Sequence, residues 1–199
     1  MGTLPFEPAA LDTAPDARTL IREAFLRLFE HEPLSAITVE HLAREAGYSR
    51  AAFYRYYHST GDVLADCEER ALPVAQSRYI DEHIAVVTPQ LFIELYLDYF
   101  AAHEQALRVL LNRDTERDFS QKLAGTIYPA FHAYLRKRGD IPEDDLDAMT
   151  LYLVESKLAQ MRSWARGVHR PLAEYMRMPL ETFERSFWQD VPIRTAAAD

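Results

Sequence analysis

A basic and aromatic stretch in the first third of the chain has side chains of the kinds that read DNA bases. On a helix with about 3.6 residues per turn, one contiguous arc is formed by Arg50, Ala51, Tyr54 and Arg55. Arginines donate to base edges and phosphates, and alanine leaves a small gap beside them. The arc therefore predicts a helix in a DNA major groove, the alternative being an ordinary helical hairpin with a solvated arginine face.

Two short helices joined by a tight turn are predicted to position this arc. Thr38 is a candidate N-cap of the first helix, since its hydroxyl can accept from an amide of the first turn. Gly47 stands where the chain must leave that helix, through a left-handed conformation that suits glycine. Ser49 can cap the second helix, in which Phe53 and Tyr57 are expected to pack inward.

An amphipathic helix before this motif completes a predicted three-helix domain. Thr13 and Asp16 form a candidate capping pair at its start. Apolar residues then recur at helical spacing as far as Phe29, and Pro33 lies beyond the end of the helix. The apolar face of this helix is expected to cover the two short helices.

The run from Ile37 to Leu64 resembles the N-terminal DNA-binding domain of TetR-type (tetracycline-repressor-like) transcriptional regulators. The matching residues are Ile37-Thr38-Val39, Leu42-Ala43-Arg44-Glu45-Ala46-Gly47, Ser49, and Phe53-Tyr54 through Tyr57. The resemblance covers roughly residues 16–70, and the remainder matches in length and all-helical character. The chain departs from the family at Thr60-Gly61, where a lysine–acid pair commonly supplies a phosphate anchor.

The resemblance implies a regulator, most often a repressor, that binds a palindromic operator as a homodimer. The residues it implies at base edges are Arg50, Ala51, Ala52, Tyr54 and Tyr56. The residues it implies near phosphates are Thr38, Ser49, Arg55, His58 and Thr60. Dimer contacts are expected from a helix over 143–166 and a segment over 171–190, through Leu151, Val154, Leu158, Met161, Phe183 and Phe187.

The overall charge argues against a general nucleic-acid coat, because the chain carries a net charge of −9. Residues 44–60 reverse this balance locally, with three arginines against Glu45 alone. DNA affinity depends on such local placement, since each neutralised phosphate releases bound counterions. The charge pattern is therefore compatible with a sequence-selective protein.

Other features of composition limit the class of protein. Cys67 is the single cysteine, so an internal disulfide is excluded and no cysteine pair exists for zinc. The chain has neither a long uninterrupted apolar run nor an N-terminus of the secretory type. We therefore expect a cytoplasmic protein without a membrane segment.

The rest of the chain predicts helices throughout, without β-alternation, so the expected fold class is all-α. A fourth helix starts at Ser59 and Asp62 and is broken or kinked at Pro73, and Pro129 and Pro179 are expected to disturb later helices. The predicted organisation is a flexible arm over 1–15, a helix-turn-helix domain over 16–60, an effector-binding and dimerisation domain over 61–191, and a tail over 192–199.

Aromatic residues are concentrated in the second predicted domain. Such stripes are usually core, but buried tyrosines need partners for their hydroxyls, and several together suit a mostly apolar pocket with a few polar points. The candidate ligand-binding residues are Phe92, Tyr96, Tyr99, His103, Tyr128, His132 and Tyr152. Few lysines or arginines accompany them, which favours a neutral or cationic small organic effector over a phosphorylated one.

Two other function classes stay open at this point. Glu94 and Asp98 form a carboxylate pair on one helical face, which an enzyme could use, although a solvated stripe or an arginine partner is the alternative. The histidines show no metal-binding spacing, and a glycine-rich phosphate loop is missing, so no cofactor is expected. The third class is a dimeric DNA-binding protein without an effector.

Overall fold

The computed structural model describes residues 16–114 and 118–187, and this part of the chain is helical without a β-strand. Its helices are α1 Ala17–His31, α2 Val39–Glu45, α3 Arg50–Phe53, α4 Thr60–Arg70, α5 Val74–Glu82, α6 Pro89–Ala102, α7 Glu104–Arg113, α8 Asp118–Arg138, α9 Glu143–Ala165 and α10 Leu172–Phe187. A 3-10 turn, Leu34–Ala36, follows α1. The all-α prediction is confirmed; the predicted arm and tail lie outside the described residues.

The chain divides into two compact units, Met1–Asp66 and Cys67–Asp199. The division therefore falls inside α4, whereas the sequence predicts a domain boundary at the start of that helix. Asp66 explains why the first part of α4 belongs with the first unit. Its carboxylate accepts from the guanidinium of Arg22, at 3.0 Å, and from the hydroxyl of Tyr57.

The first unit is built on the apolar face of α1. Asp16 caps this helix by accepting from the Thr19 amide at 2.7 Å, while Thr13 lies outside the described residues. The side chains that face inward from α1 to α3 are fully buried or nearly so, and include Ile21, Phe25, Leu42, Phe53 and Tyr57. Their burial fixes α2 and α3 on α1, as the sequence predicts.

The second unit is built around α6, whose apolar side chains are buried on nearly every face. Thr88 caps α6 by accepting from the Leu91 amide at 3.2 Å. His103 separates α6 from α7, which confirms the predicted bend there. Helix α10 packs on α6 and α9, and α8 packs on α5 and α9, so the core lies between these helices.

The prolines have different effects in the two halves of this unit. Pro73 stands between α4 and α5, so the chain breaks there rather than bending within one helix. Pro129 and Pro179 lie inside α8 and α10, which continue through them. The predicted interruption at Pro179 is therefore wrong. Burial of apolar side chains on both sides of it outweighs one missing backbone hydrogen bond.

None of the helices over the described residues combines the length and the apolar character that a bilayer crossing requires.

Candidate nucleic-acid interface and interior cavity

The turn between α2 and α3 has a defined backbone geometry. Gly47 adopts a positive φ of 78°, which a residue with a β-carbon adopts only with strain. The Gly47 amide donates to the Arg44 carbonyl at 3.1 Å, and the Tyr48 amide donates to the Ala43 carbonyl at 2.8 Å. These two bonds are the Schellman motif that ends α2, so the glycine predicted to end the helix does so.

Both predicted N-caps of the motif are present. The Thr38 hydroxyl accepts from the His41 amide at 3.1 Å, and the Ser49 hydroxyl accepts from the Ala52 amide at 3.1 Å. Each cap satisfies an amide that has no partner within its own helix. The direction of α3 is thus set by local hydrogen bonds as well as by the burial of Phe53.

The regular part of α3 is shorter than the predicted second helix, because it ends at Phe53. The next amides, of Arg55 and Tyr56, donate to carbonyls three residues back, which tightens this turn. The Tyr57 amide still donates to the Phe53 carbonyl at 3.2 Å. The arc predicted from helical spacing is therefore retained across a tightened final turn.

The arc itself is open to solvent. Arg50, Ala51 and Arg55 are exposed, and Tyr54 is 41% exposed. A guanidinium nitrogen of Arg50 donates to the Tyr54 hydroxyl at 3.4 Å, and this bond is the main reason that the pKa of Arg50 is raised. The pair presents one cation and one phenol side by side, which are donors of the kinds that base edges and phosphates accept.

The other predicted DNA-contacting residues surround the arc. Thr38, Ser49 and His58 are exposed, whereas Ala52, Tyr56 and Thr60 are partly buried. The Tyr56 ring has the Arg55 guanidinium 5.8 Å from its centroid and meets the Tyr48 ring edge-on at 6.4 Å. The structure therefore brings all ten predicted residues to the α2–α3 motif and the start of α4.

The end of the motif is held in place by a small polar cluster. The Tyr57 hydroxyl and the Arg22 guanidinium both donate to Asp66, and Arg18 lies 4.9 Å above the Tyr57 ring. Burial, followed by the hydrogen bond to Asp66, raises the pKa of Tyr57. Ser59 and Asp62 cap α4 as predicted, the Asp62 amide donating to the Ser59 hydroxyl at 3.1 Å.

The second unit contains a small interior cavity of about 20 Å³, which is close to the volume that one water molecule needs. Its walls are formed by Pro73, Tyr96, Tyr99, Phe100, Leu123, Ile127, Phe131, Lys157, Met161, Met176 and Leu180. Two predicted ligand-binding residues, Tyr96 and Tyr99, are among them.

The two wall tyrosines differ in how their hydroxyls are satisfied. The Tyr99 hydroxyl donates to the Ala71 carbonyl, just beyond the end of α4. The Tyr96 hydroxyl is buried beside the hydroxyl of Ser77, and this contact opposes part of the effect of burial on the pKa of Tyr96. Burial raises the pKa of both tyrosines well above the ordinary value of a phenol. They are therefore neutral over the physiological range of pH.

The other five predicted ligand residues lie away from the cavity wall. Phe92 is core and stacks on Tyr134, with 4.2 Å between the ring centroids. His103 is the residue that directly follows α6, and the centroid of its ring lies 4.8 Å from that of the Tyr99 ring. Helical periodicity alone could not separate these positions from the wall, because α6 is buried on nearly every face.

Tyr128, His132 and Tyr152 lie nearer the surface. The Tyr128 hydroxyl donates to Asp147 at 2.8 Å, and a ring nitrogen of His132 lies 3.3 Å from the same carboxylate. Tyr152 is 70% exposed on α9. These three side chains therefore lie at the surface of the unit and form no part of the cavity wall.

Sequence reasoning missed the buried lysine of the cavity, Lys157. It is 7% exposed, and burial lowers its pKa. A signal was available, since Leu153, Val154 and Met161 lie three or four residues from Lys157 on the helix predicted over 143–166.

The predicted dimer residues fall into three groups. Val154, Leu158 and Met161 are buried within the protomer, so their contribution to a dimer would be indirect. Leu151 is 54% exposed on α9, and Phe183 is partly buried on α10. The side chain of Phe187 lies outside the described part of the structure.

The carboxylate pair considered for an enzyme is engaged in an ion pair. Glu94 accepts from Arg177 at 3.1 Å, and Asp98 is exposed, with a pKa raised by partial burial and by Glu94. Over the described residues, no group of three metal-binding side chains is found. Glu94 is therefore paired with an arginine, which is one of the two non-catalytic interpretations of this carboxylate pair given above.

Comparisons with solved structures show a shared fold. NalD, the secondary repressor of the MexAB-OprM multidrug efflux pump in Pseudomonas aeruginosa, is 14% identical, with a TM-score of 0.65 over 90% of this chain and 98% of NalD. A transcriptional regulator of the TerR/AcrR family from Aquifex aeolicus is 18% identical, with a TM-score of 0.62 over 85% of this chain and 99% of its own. The dihydroxyacetone kinase operon activator DhaS is 14% identical, with a TM-score of 0.63 over 88% of this chain and 98% of its own.

Sequence comparison identifies the N-terminal motif. Among curated protein sequences, none matches the chain. The model of the bacterial regulatory proteins of the tetR family matches residues 21–67, which include α2, the Gly47 turn, α3 and the start of α4. Residues 21–67 are thus similar to the bacterial regulatory proteins of the tetR family, and the chain shares the fold of the three solved structures.

Proposed function

We propose that this protein is a cytoplasmic repressor that binds a palindromic operator as a homodimer and leaves it when a small, mostly apolar ligand binds. The observation that carries ligand control is the hydrogen bond from Tyr99, in the cavity wall, to the Ala71 carbonyl. Ala71 directly follows α4, and α4 begins at Thr60, beside the DNA-binding motif in the chain. A ligand that displaces Tyr99 therefore acts on the helix that leads to this motif.

The DNA-reading surface in this proposal is the exposed arc of α3. Arg50 and Tyr54 contact base edges, with Ala51, Ala52 and Tyr56 beside them. The exposure of Arg50 and Tyr54, and the caps that fix α3, support this assignment. The phosphate contacts are assigned to Thr38, Ser49, Arg55, His58 and Thr60. The DNA-binding domain is then residues 16–60, and residues 61–191 bind the effector and dimerise.

The surface proposed for dimerisation is the outer face of α9 with part of α10. Leu151 and Tyr152 of α9 and Met178 of α10 are large apolar side chains that are more than half exposed. Such side chains on neighbouring helices favour a protein contact over free solvation. A two-fold dimer uses the same patch on both copies, which would place two recognition helices about 34–36 Å apart, or a multiple of that, on a palindromic site.

The coupling in this proposal is a shift between two arrangements of α4. Two further contacts within the second unit involve the last turn of α4 and the connection that follows it. Glu68 pairs with Lys122 of α8 at 2.5 Å, and Pro73, which ends the connection to α5, forms part of the cavity wall. The ligand changes operator affinity only as far as it prefers one arrangement, typically by ~1–3 kcal/mol.

Repression, as opposed to activation, rests on the resemblance to the family. The fold relatives include the repressor NalD and the operon activator DhaS. Whether the protein lowers or raises transcription can be tested with a promoter. The selected operator is placed between the recognition elements of this promoter and its transcription start. Repression predicts that added protein lowers transcription in a purified system.

A second candidate function is a dimeric DNA-binding regulator without an effector. The observation that favours it is the size of the cavity, about 20 Å³, which leaves no room for an organic molecule unless side chains move. In that case the aromatic core serves only to support the dimer.

The decisive experiment has two steps. Selection of bound fragments from random duplex DNA identifies the operator, and a palindromic product is expected. Operator titrations are then repeated with small organic compounds that raise the melting temperature of the full-length protein. Release by a stabilising compound supports ligand control, whereas stabilising compounds that leave operator affinity unchanged favour the second candidate.

A further inference from the structure

Helix α1 carries three arginines, and one of them differs from the other two in its charge environment. Arg22 pairs with Asp66 at 3.0 Å, and Arg27 pairs with Glu45 at 3.3 Å. Arg18 is exposed, and it forms no ion pair with a carboxylate of the described residues. Its positive charge is therefore available to an anion from outside the chain.

The ring of Tyr57 positions the Arg18 side chain at the end of the helix-turn-helix motif. The central guanidinium carbon of Arg18 lies 4.9 Å from the centroid of this ring, which is within the range of a cation–π contact. The ring itself is fixed, because Tyr57 is only 4% exposed and its hydroxyl donates to Asp66. A guanidinium above a ring keeps its N–H donors for another partner, so the contact orients Arg18 without using them.

The same arrangement of arginine over tyrosine occurs twice more in this part of the chain. Arg50 lies 5.6 Å from the centroid of the Tyr54 ring, and Arg55 lies 5.8 Å from that of the Tyr56 ring. Both of these arginines belong to the surface proposed to contact DNA. Arg18 forms the third such pair at this segment, and it is supplied by another helix.

The length of the segment indicates what Arg18 meets. From Arg50 to Tyr57 the chain makes α-helical and then tighter turns, which span roughly 11 Å at 1.5–2.0 Å per residue. The major groove of DNA is about 12 Å wide, and the first residues of a recognition helix contact the bases. The Tyr57 end therefore lies close to the sugar–phosphate backbone that borders the groove.

We infer that Arg18 binds a phosphate of the DNA backbone at the end of the recognition segment, so that α1 is part of the DNA interface. The planar guanidinium suits this role because two of its N–H groups can donate to one phosphate. The inference rests on the proposed function, in which α3 reads the operator. Sequence reasoning did not select Arg18, because the pattern of α1 does not show that this residue meets Tyr57.

The test measures how DNA affinity depends on salt. Full-length wild type and Arg18→Gln are titrated with the selected operator and with random duplex of equal length, at several salt concentrations. The variant is expected to bind both DNAs more weakly, by a similar factor of roughly three- to tenfold. The slope of log affinity against log salt concentration should become shallower by about 0.9 for each bound protomer, since one phosphate contact is lost.

Two further variants separate a phosphate contact from a general effect of charge. Arg27→Gln removes the same charge from the same helix, at the arginine that pairs with Glu45, and is expected to keep the wild-type slope. Arg18→Lys keeps the charge and is expected to retain most of the slope, although a lysine cannot donate in the same planar fork. A change in protein stability alone would not alter the slope, so this measurement distinguishes DNA contact from a purely structural role.

Three results would overturn the inference. An unchanged slope in Arg18→Gln shows that Arg18 releases no counterion, while the proposed DNA binding stands. An equal change of slope in Arg27→Gln shows a general effect of charge, and a loss on the operator alone shows a base contact. If the wild-type protein binds neither DNA, the proposed function fails together with this inference.

Discussion

The two units use their tyrosines in opposite ways. In the first unit, Tyr54 is exposed beside Arg50 and presents its hydroxyl at the surface. In the second unit, Tyr96 and Tyr99 are buried in a cavity wall, and the Tyr96 hydroxyl lies beside that of Ser77. The first unit thus offers a formed surface that a large partner can contact directly. The second unit instead encloses a cavity of about 20 Å³, and its aromatic side chains present no comparable open surface.

The difference also extends to how each site is held. Local hydrogen bonds fix α3: a serine cap at its start and a Schellman motif just before it. The cavity is instead enclosed by residues from α6, α8, α9 and α10, with Pro73 before α5. A change in one turn should therefore affect the first site, whereas the second depends on several helices at once.

Tyr152→Glu should have the largest effect on operator binding, although it leaves the DNA-binding unit unaltered. A carboxylate placed in the proposed dimer face opposes its own copy across the two-fold axis. Loss of simultaneous contact with two half-sites is expected to weaken operator binding by roughly 10²–10⁴-fold. Sedimentation should show monomers at micromolar concentration.

Val86→Glu is the matched control for this change, because Val86 is also a large exposed apolar residue but lies outside α9 and α10. It should remain dimeric. A monomeric wild-type protein, or a Tyr152→Glu variant that stays dimeric, would contradict the proposed dimer face.

Arg50→Ala tests the exposed site by itself. Loss of a base contact is expected to weaken binding to the selected operator by roughly ten- to hundredfold and to relax the preference at one base position. Arg136→Ala, in the second unit, is the control and should leave both unchanged. An equal loss on operator and random DNA would show that Arg50 contacts only phosphate.

Two glycines provide a matched test of backbone control. Gly47→Ala forces a β-carbon into a positive φ of 78° and is expected to destabilise the protein by about 1–2 kcal/mol. Gly125→Ala, inside α8 with open space around the added atom, should stabilise it by about 0.5–1 kcal/mol. Urea unfolding measures both. If both substitutions changed the free energy of unfolding in the same direction, the turn would not require glycine.

Tyr96→Phe tests the burial of the cavity phenol through its pH dependence. The pKa of Tyr96 is raised in the folded state, so the native protein keeps a proton that the unfolded chain loses above about pH 10. Stability is therefore unaffected by this group below about pH 10 and falls above it, by at most about 1.4 kcal/mol per pH unit.

The substitution should make this alkaline loss less steep, because Phe has no proton to lose. Urea unfolding at pH 9 to 11 measures the slope, and Tyr152→Phe, at an exposed position, is the control. Identical slopes in the wild type and Tyr96→Phe would contradict the burial of the hydroxyl.

The helix-turn-helix could be predicted in detail because its determinants are close in sequence. Thr38, Gly47 and Ser49 act within a few residues of themselves, through caps and one left-handed turn. The periodicity that put Phe53 inside and Arg50 outside is likewise a property of one short segment. The sequence by itself therefore determined this motif, its likeness to the tetR family and the all-helical fold.

Only the tertiary structure decided which residues of the second unit meet. Helix α6 is apolar on nearly every face, so its sequence could not show that Tyr96 and Tyr99 line a cavity while Phe92 is core. Pro179 stays within a helix because distant side chains bury its neighbours. The physical reason is that burial depends on which helices pack together, and that packing joins residues far apart in the chain.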